Sequence, residues 1–388
     1  MKVLHVIPSI SKRSGGPAHA ILPMCKALQR AGLDVTLATT DHDLENADSR
    51  QGDLSTLDGV PVHIFAAQLG DSFKYSRPFS SWLNSEVENF DLVHIHAVFN
   101  HSSIAAARAC TRKNVPYIVR PLGTLDPWSM KQKPIRKRLF LKLGARRLLT
   151  NAGAIQYTTE AEKSSTEAAL RLNHGIVVPL GIEEELSGVE ISKEQFGKMF
   201  PTLQDRPYIL VLSRLHSQKN IDALLRAFIT VSARPNFSQW QLVIGGDGNS
   251  DYVAQLKRLV GANDRVLFTG WLEAVAKYAI LRNASLLALT SFQESFGLCL
   301  LEAMACGVPV LVGSNVKLAA DIDKARAGWI TEPQLEAITQ ALSTALENPT
   351  ELKTRGMSGV AFARSFTWES VGISLSSLYS SVVNQSRL

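Results

Sequence analysis

The chain has 388 residues, enough for two α/β domains of ordinary size, and 45% of them are apolar, enough for two packed cores without disulfides. No run of eighteen apolar residues occurs, which excludes a membrane-spanning helix, and the opening MKVLHVIPSI is too short an apolar stretch for a signal peptide. Cys25, Cys110, Cys299 and Cys306 have no metal-type spacing and read as reduced thiols of a cytoplasmic protein, while the net charge of +6 is unevenly spread.

KVLHVI (2–7) is the first expected strand, followed by the turn SKRSGGP, a helix AHAILPMCKALQRAG closed by Gly32, and a strand DVTLATT (34–40). Gly15 and Gly16 precede that helix. Their amides either approach a phosphate or sugar hydroxyl, or the segment is a plain turn. SKRSGGP is not GxGxxG, which disfavours a dinucleotide enzyme. The next strands are DLVHIH (91–96), PYIVR (116–120) and AIQYTT (154–159), with helical stretches between them. His96 falls at the carboxyl end of its strand, where α/β sheets bind ligands, although a lone histidine is as often a satisfied hydrogen-bonder. Arg120 and Asp126 follow the next strand and either face an acceptor or pin their loop.

Residues 1–180 hold 22 Lys/Arg against 15 Asp/Glu, and the remainder 19 against 20. Much of the excess lies in KQKPIRKRLFLKLGARR (131–147), eight basic residues in seventeen, interleaved with Ile135, Leu139, Phe140 and Leu143. The tract is either a solvated helix face or a surface for anionic lipid or an anionic substrate. No nucleic-acid motif accompanies it.

The strand–helix rhythm breaks over the charged, irregular stretch 183–206 and restarts with YILVLS (208–213) and the helix NIDALLRAFITV (220–231). Strands QLVIGGDG (241–248), VLFTG (266–270), SLLALT (285–290) and VPVLVG (308–313) continue it, and TWESVGISLSSLYSSVV (367–383) is a final amphipathic helix. Two tandem α/β domains with doubly wound, mainly parallel sheets are expected: 1–182, 183–366, and a terminal helix 367–388.

Arg214 and Lys219 flank the loop after strand 208–213, beside a helix N-terminus that Asn220 is placed to cap. Two cations at free backbone amides suit a diphosphate, or are simply the basic residues that commonly follow a strand. ESFGLCLLEAMACG reads as a loop with Glu294, then a helix from near Phe296–Gly297 to Gly307. That puts Glu302 about two turns inside it. Amides of Phe296, Gly297 and Leu298 would face an anion, and Glu302, acceptor-only when ionised, suits a vicinal diol. Singly, each glutamate reads as a surface carboxylate. GGDG (245–248) reads as a tight turn, and Trp271 and Leu272 as packing for a nucleobase or for the core.

The ordered set SGGP, DLVHIHA, PLGIE, LSRLHSQKNID, GGDG, TGWL and ESFGLCLLEAMACGVPV resembles the retaining, sugar-nucleotide-dependent glycosyltransferases of family 4. Their GT-B fold has two facing Rossmann-like domains and a C-terminal helix returning to the first. The resemblance implies that Arg214 and Lys219 bind the donor diphosphate and Glu302 the ribose. Glu294, with the amides of Phe296, Gly297 and Leu298, would hold the transferred sugar. Gly16 would approach the donor from the first domain and His96 would lie near the reacting sugar; Gly15, Leu272 and Arg120 join them as substrate-binding candidates from their own loop positions. The terminal helix, with Trp368, resembles the one that crosses back. No metal and no cofactor is implied: DHD (41–43) and DID (321–323) are the only DxD triplets, too short to be diagnostic.

HAVFNHSSIAAARA and PLGTLDPW resemble the subset building bacterial exopolysaccharide or lipopolysaccharide, so the expected partners are a UDP-sugar, glucose first, and a saccharide or lipid-linked acceptor. Peripheral contact with the inner face of the plasma membrane through 131–147 is also expected. A nucleotide-sugar epimerase and a non-catalytic sugar-nucleotide-binding subunit are the alternatives.

Overall fold

Short apolar strands separated by amphipathic helices can bury both faces only inside a parallel sheet flanked by helices. The computed structural model, which describes residues 1–11, 15–43, 51–69, 73–183, 191–203 and 206–386, resolves this into two units. One is Met1–Gly181 with Thr367–Leu388, the other Ile182–Phe366.

In the first unit the strands are β1 (Lys2–Val6), β2 (Asp34–Thr40), β3 (Gln51–Leu57), β4 (Val60–Phe65), β5 (Leu92–His96), β6 (Tyr117–Arg120), β7 (Ala154–Tyr157) and β8 (Gly175–Val177). Their spatial order is β3-β4-β2-β1-β5-β6-β7-β8, parallel throughout except for the β3–β4 hairpin at the edge. The order reverses direction between β1 and β5, which makes a switch point at their carboxyl ends. The sheet core includes Leu4, Val6, Val93, Ile95, Val119 and Ile155, all fully buried. The final helix, Trp368–Ser386, lies on the helix Gly16–Arg30. Gly372 allows that approach: a Cβ there would sit 2.6 Å from the Ala27 carbonyl oxygen.

The second unit holds β9 (Tyr208–Leu212), β10 (Gln241–Gly245), β11 (Val266–Gly270), β12 (Leu286–Leu289), β13 (Val310–Gly313) and β14 (Gly328–Thr331). The order is β11-β10-β9-β12-β13-β14, all parallel, with its switch point between β9 and β12.

Several elements differ from the sequence reading. The β3–β4 hairpin, β8 and β14 were not expected, because β3 and β8 are short of apolar alternation. Within the charged stretch, Lys193–Met199 is a helix with a capping box, the Ser192 and Gln195 side chains each bonding the other's backbone amide. Residues 184–190 of that stretch, and 12–14 of SKRSGGP, lie outside the described residues. Asn220 precedes its helix with φ 55° and makes no side-chain cap. Its Nδ2 donates instead to the carbonyls of Thr290 and Pro333, at 3.2 and 2.9 Å. The helix after Glu294 begins at Leu298, since Gly297 stands at φ 84°, outside the helical region.

Candidate functional site

In the second unit, two loops leave adjacent strands and are fastened to each other. The loop after β9 forms a short helical turn, Ser217–Lys219, in which His216 accepts from the Gln218 amide. Gln218 then donates to the Gln293 carbonyl and side-chain oxygen at 3.0 and 2.6 Å, and its own carbonyl accepts from the Phe292 amide at 2.9 Å. This brings Lys219 onto Glu294 as an ion pair, with the two side chains 12% and 21% exposed. Burial pushes the Glu294 carboxyl up. The charge and hydrogen bond of Lys219, the charge of Arg214 and the Phe296 amide outweigh it and hold the carboxyl below its usual range.

The Phe296 amide thus points at the Glu294 carboxylate, a use the sequence reading did not foresee. Arg214 is exposed on the same loop. Its backbone is shaped by GGDG: Leu215 N–H donates to the Asp247 carbonyl at 2.8 Å. A Cβ on Gly246 or Gly248 would lie 1.9 Å from the Ser213 or Leu215 carbonyl oxygen. The expected tight turn is therefore also the support of the Arg214 loop.

Glu302 lies on the helix Leu298–Ala305, and its Oε1 accepts from Lys277 Nζ at 2.6 Å, with the side chains 14% and 26% exposed. Lys277, on the helix Ala274–Arg282, was not singled out in the sequence; a single lysine on an unremarkable helix carries no spacing signal. Five charges thus gather in this unit around the switch point, Arg214, Lys219 and Lys277 against Glu294 and Glu302. Lys219 and Arg214 hold the Glu294 carboxylate ionised, and Arg214 is left exposed as a cation. Leu272 is half-buried near Gly245, and Trp271 is 37% exposed.

The first unit builds its own switch point. Gly15, at φ 76°, stands at the N-cap of the helix Gly16–Arg30. Gly16 is exposed, and a Cβ added there would meet nothing within 4 Å. His96 ends β5 and is fully buried. The next residue, Ala97, takes φ 75°, a left-handed backbone uncommon for a side-chain-bearing residue, and its amide donates to the Arg120 carbonyl at 2.8 Å. Arg120 is 3% exposed, so its guanidinium lies inside the fold rather than on an acceptor-facing surface. Burial lowers it to about 10, and the nearby Glu162 charge opposes that. Glu162 in turn accepts from the Gly123 amide and from the amide and hydroxyl of Thr158. Asp126 caps the helix Pro127–Lys131 and so serves its loop.

Over 131–147 the structure exposes Ile135 (82%), Leu139 (54%) and Leu143 (68%), spaced by four on one stripe. Seven of the eight basic residues are exposed with them. Lys137 turns inward, donating to the Ser129 carbonyl and hydroxyl at 2.7 and 2.8 Å. Among the described residues no helix is long and apolar enough to cross a membrane.

Comparison with known proteins defines the class first. The fold is GT-B. It matches sucrose-phosphate synthase from Thermosynechococcus elongatus with a TM-score of 0.81 at 19% identity, over 99% of this chain and 100% of that one. It matches the Anabaena HepE complex with UDP-glucose at 0.77 and 19%, over 98% and 100%. Two family descriptions cover most of the sequence: "Glycosyl transferase 4-like domain" over residues 15–181 and "Glycosyl transferases group 1" over 193–358. The chain belongs to these family-4-type GT-B glycosyltransferases.

An uncharacterized glycosyltransferase of Methanocaldococcus jannaschii is 27% identical over 237 residues, 59% of this chain and 58% of that protein. N-acetyl-alpha-D-glucosaminyl L-malate synthase of Bacillus anthracis is 26% identical over 231 residues, again 59% and 58%. The match spans 58% of the length of each of these relatives.

Proposed function

We propose that the chain is a retaining hexosyltransferase that moves glucose from UDP-glucose to a growing polysaccharide or lipid-linked saccharide, without a metal. The observation that carries this reading is the gathering of Arg214, Lys219, Glu294, Lys277 and Glu302 at the switch point of the second unit. Structural neighbours support the donor: Anabaena HepE is described in complex with UDP and glucose, and an E. coli trehalose-6-phosphate neighbour as bound with UDP-2-fluoro glucose.

Cleavage of the sugar–diphosphate bond leaves an oxocarbenium-like sugar and a charged leaving group. Arg214 and Lys219, with the helix N-terminus at Leu298, neutralise the diphosphate. Glu302 accepts from the ribose hydroxyls, and Glu294 accepts from a sugar hydroxyl. The acceptor hydroxyl attacks C1 on the face the diphosphate leaves, the C1–O bond to phosphate breaks, and the acceptor proton passes to the departing phosphate oxygen. Gly15, Gly16 and His96 are kept as the first unit's substrate candidates on the family resemblance and their sequence positions alone.

UDP release from a panel of UDP- and GDP-sugars, with and without EDTA, tests this, together with the anomeric configuration of the glycoside formed. EDTA-insensitive release from one donor with retained configuration, lost in Arg214→Ala and Glu302→Ala, is expected. Tight nucleotide binding without release from any donor, even with lipid-linked acceptors, overturns the transferase reading in favour of a binding subunit.

The acceptor side includes contact with an anionic bilayer at the cytoplasmic face, supported by the Ile135–Leu139–Leu143 stripe and its basic flanks. Sedimentation with phosphatidylglycerol vesicles at low salt, abolished by Ile135→Asp/Leu139→Asp, is expected. Indifference to those vesicles overturns it.

A further inference from the structure

The first unit buries a polar chain that the reaction above uses only at its end. His5 on β1 stands opposite His94 on β5, and the two-residue alternation of a strand brings His96 to the same face. All three rings are fully buried, as is Tyr379 of the final helix above them. The polar atoms form one line. His94 Nδ1 lies 2.7 Å from the Tyr379 hydroxyl, which is 3.4 Å from His5 Nε2, and His5 Nδ1 is 3.0 Å from His96 Nε2. Its two ends, His94 Nε2 and His96 Nδ1, have no hydrogen-bond partner among the described residues.

Three histidines whose ligand atoms lie within 4.8 Å of one another invite a metal reading. The chemistry opposes it. The cluster contains no carboxylate, and Arg120, the cross-strand partner of His96, already places a buried cation beside it. A divalent ion would add charge to a site that burial has made expensive for any charge, and it would have to displace the ring-to-ring hydrogen bonds. Burial, with the Arg120 charge adding to it, lowers His5 to about 3 and holds His94 and His96 well below the ordinary histidine value. The rings are therefore neutral near pH 7, and what the line transmits is tautomer, not charge.

A line of single hydrogen bonds between neutral rings has two arrangements. In one, every histidine carries its hydrogen on Nδ1; in the other, every histidine carries it on Nε2. Arg120, paired with His96 across the strands, has its side chain on the same face of the sheet, and a cation there favours a bare lone pair on His96 Nδ1, which selects the second. His96 Nε2–H then donates to His5 Nδ1, His5 Nε2–H to the Tyr379 oxygen, and the Tyr379 hydroxyl to His94 Nδ1. We infer that Tyr379 is a positioning residue for His96: relayed through His5, it holds His96 as the Nε2–H tautomer, with its buried Nδ1 left as a bare lone pair. This rests on the reading of His96 as a sugar-side residue.

The full-length protein with ¹⁵N-labelled histidine, observed in long-range ¹H–¹⁵N correlation spectra, reads the three tautomers directly. All three as Nε2–H at pH 7 is expected in the native chain, as is loss of that uniformity at His5 and His96 in Tyr379→Phe. With glucosyl transfer as the second readout, Tyr379→Phe is expected to lower kcat several-fold while the donor KM stays within about two-fold.

An Nδ1–H tautomer at His96 in the native chain overturns the inference without any variant. So does a joint shift of the three histidine signals on adding zinc chloride, which would make the cluster a metal site. Unchanged spectra and unchanged kcat in Tyr379→Phe overturn it as well. Absence of transfer by the native chain refutes the transferase reading alone, because the spectra still decide the tautomer.

Discussion

Lys219→Met removes the ammonium that faces Glu294 and leaves a carboxylate that burial by itself pushes up in pKa. Breaking a fully buried pair by deleting one partner costs about 3–5 kcal/mol. Here the side chains keep 12% and 21% exposure and the Arg214 charge also acts on Glu294, so the expected loss at pH 7 is about 2 kcal/mol. For a unit the size of Ile182–Phe366 that is a fall in Tm of about 4–8 °C.

The pH dependence separates this from lost packing. In the native chain the folded Glu294 titrates below its unfolded value of about 4.3, so its stabilisation is present above that value and is lost as pH falls through the lower folded one. In Lys219→Met the folded value rises above the unfolded one, so the penalty is full at neutral pH and fades as acid protonates the carboxyl. The Tm gap between native and variant chains should therefore shrink from pH 7 to pH 4.5 in calorimetric scans. A gap that stays constant over that range refutes the electrostatic account.

Glu302→Gln should weaken the donor by about ten-fold in KM with kcat nearly unchanged, because a neutral amide accepts less well from a diol; steady-state kinetics with UDP-glucose decide it. Gly248→Ala should lower both Tm and donor affinity, since its Cβ would sit 1.9 Å from the Leu215 carbonyl oxygen in the loop that bears Arg214. Asn220→Ala should cost about 2 kcal/mol by urea unfolding, because it strips the Thr290 and Pro333 carbonyls of a buried donor. The buried histidines of the first unit bind fewer protons folded than unfolded, so stability should fall as pH drops below about 6.5. His94→Gln should flatten that slope by up to one proton, measured as Tm against pH.

The α/β class was legible in the sequence because strands such as YILVL and LVHIH are apolar runs of strand length, and helix periodicity separates them. The Glu294–Glu302 segment and the Arg214–Lys219 loop were legible for a similar reason. They follow strands, and glycines and charges at fixed local offsets are properties of the chain itself. Strand β3 was not, since its Leu54 and Leu57 are exposed and give no buried face to read, whereas its partner β4 does bury Val60 and Val62 in strand alternation, with Phe65 at its end.

Partners brought together from distant positions had to await the tertiary structure. Lys219 and Glu294 are 75 residues apart and Lys277 and Glu302 are 25, and no local pattern states which carboxylate meets which cation. The order of β9 and β12 in the sheet decides the first pair. His94 and Tyr379 stand 285 residues apart, joined because the last helix lies over the first sheet. A sequence records which side chains are available and how they repeat along an element. Long-range packing alone sets the distances over which charge and hydrogen bonding act, and those distances decide which groups stay ionised, which stay neutral, and which face a ligand.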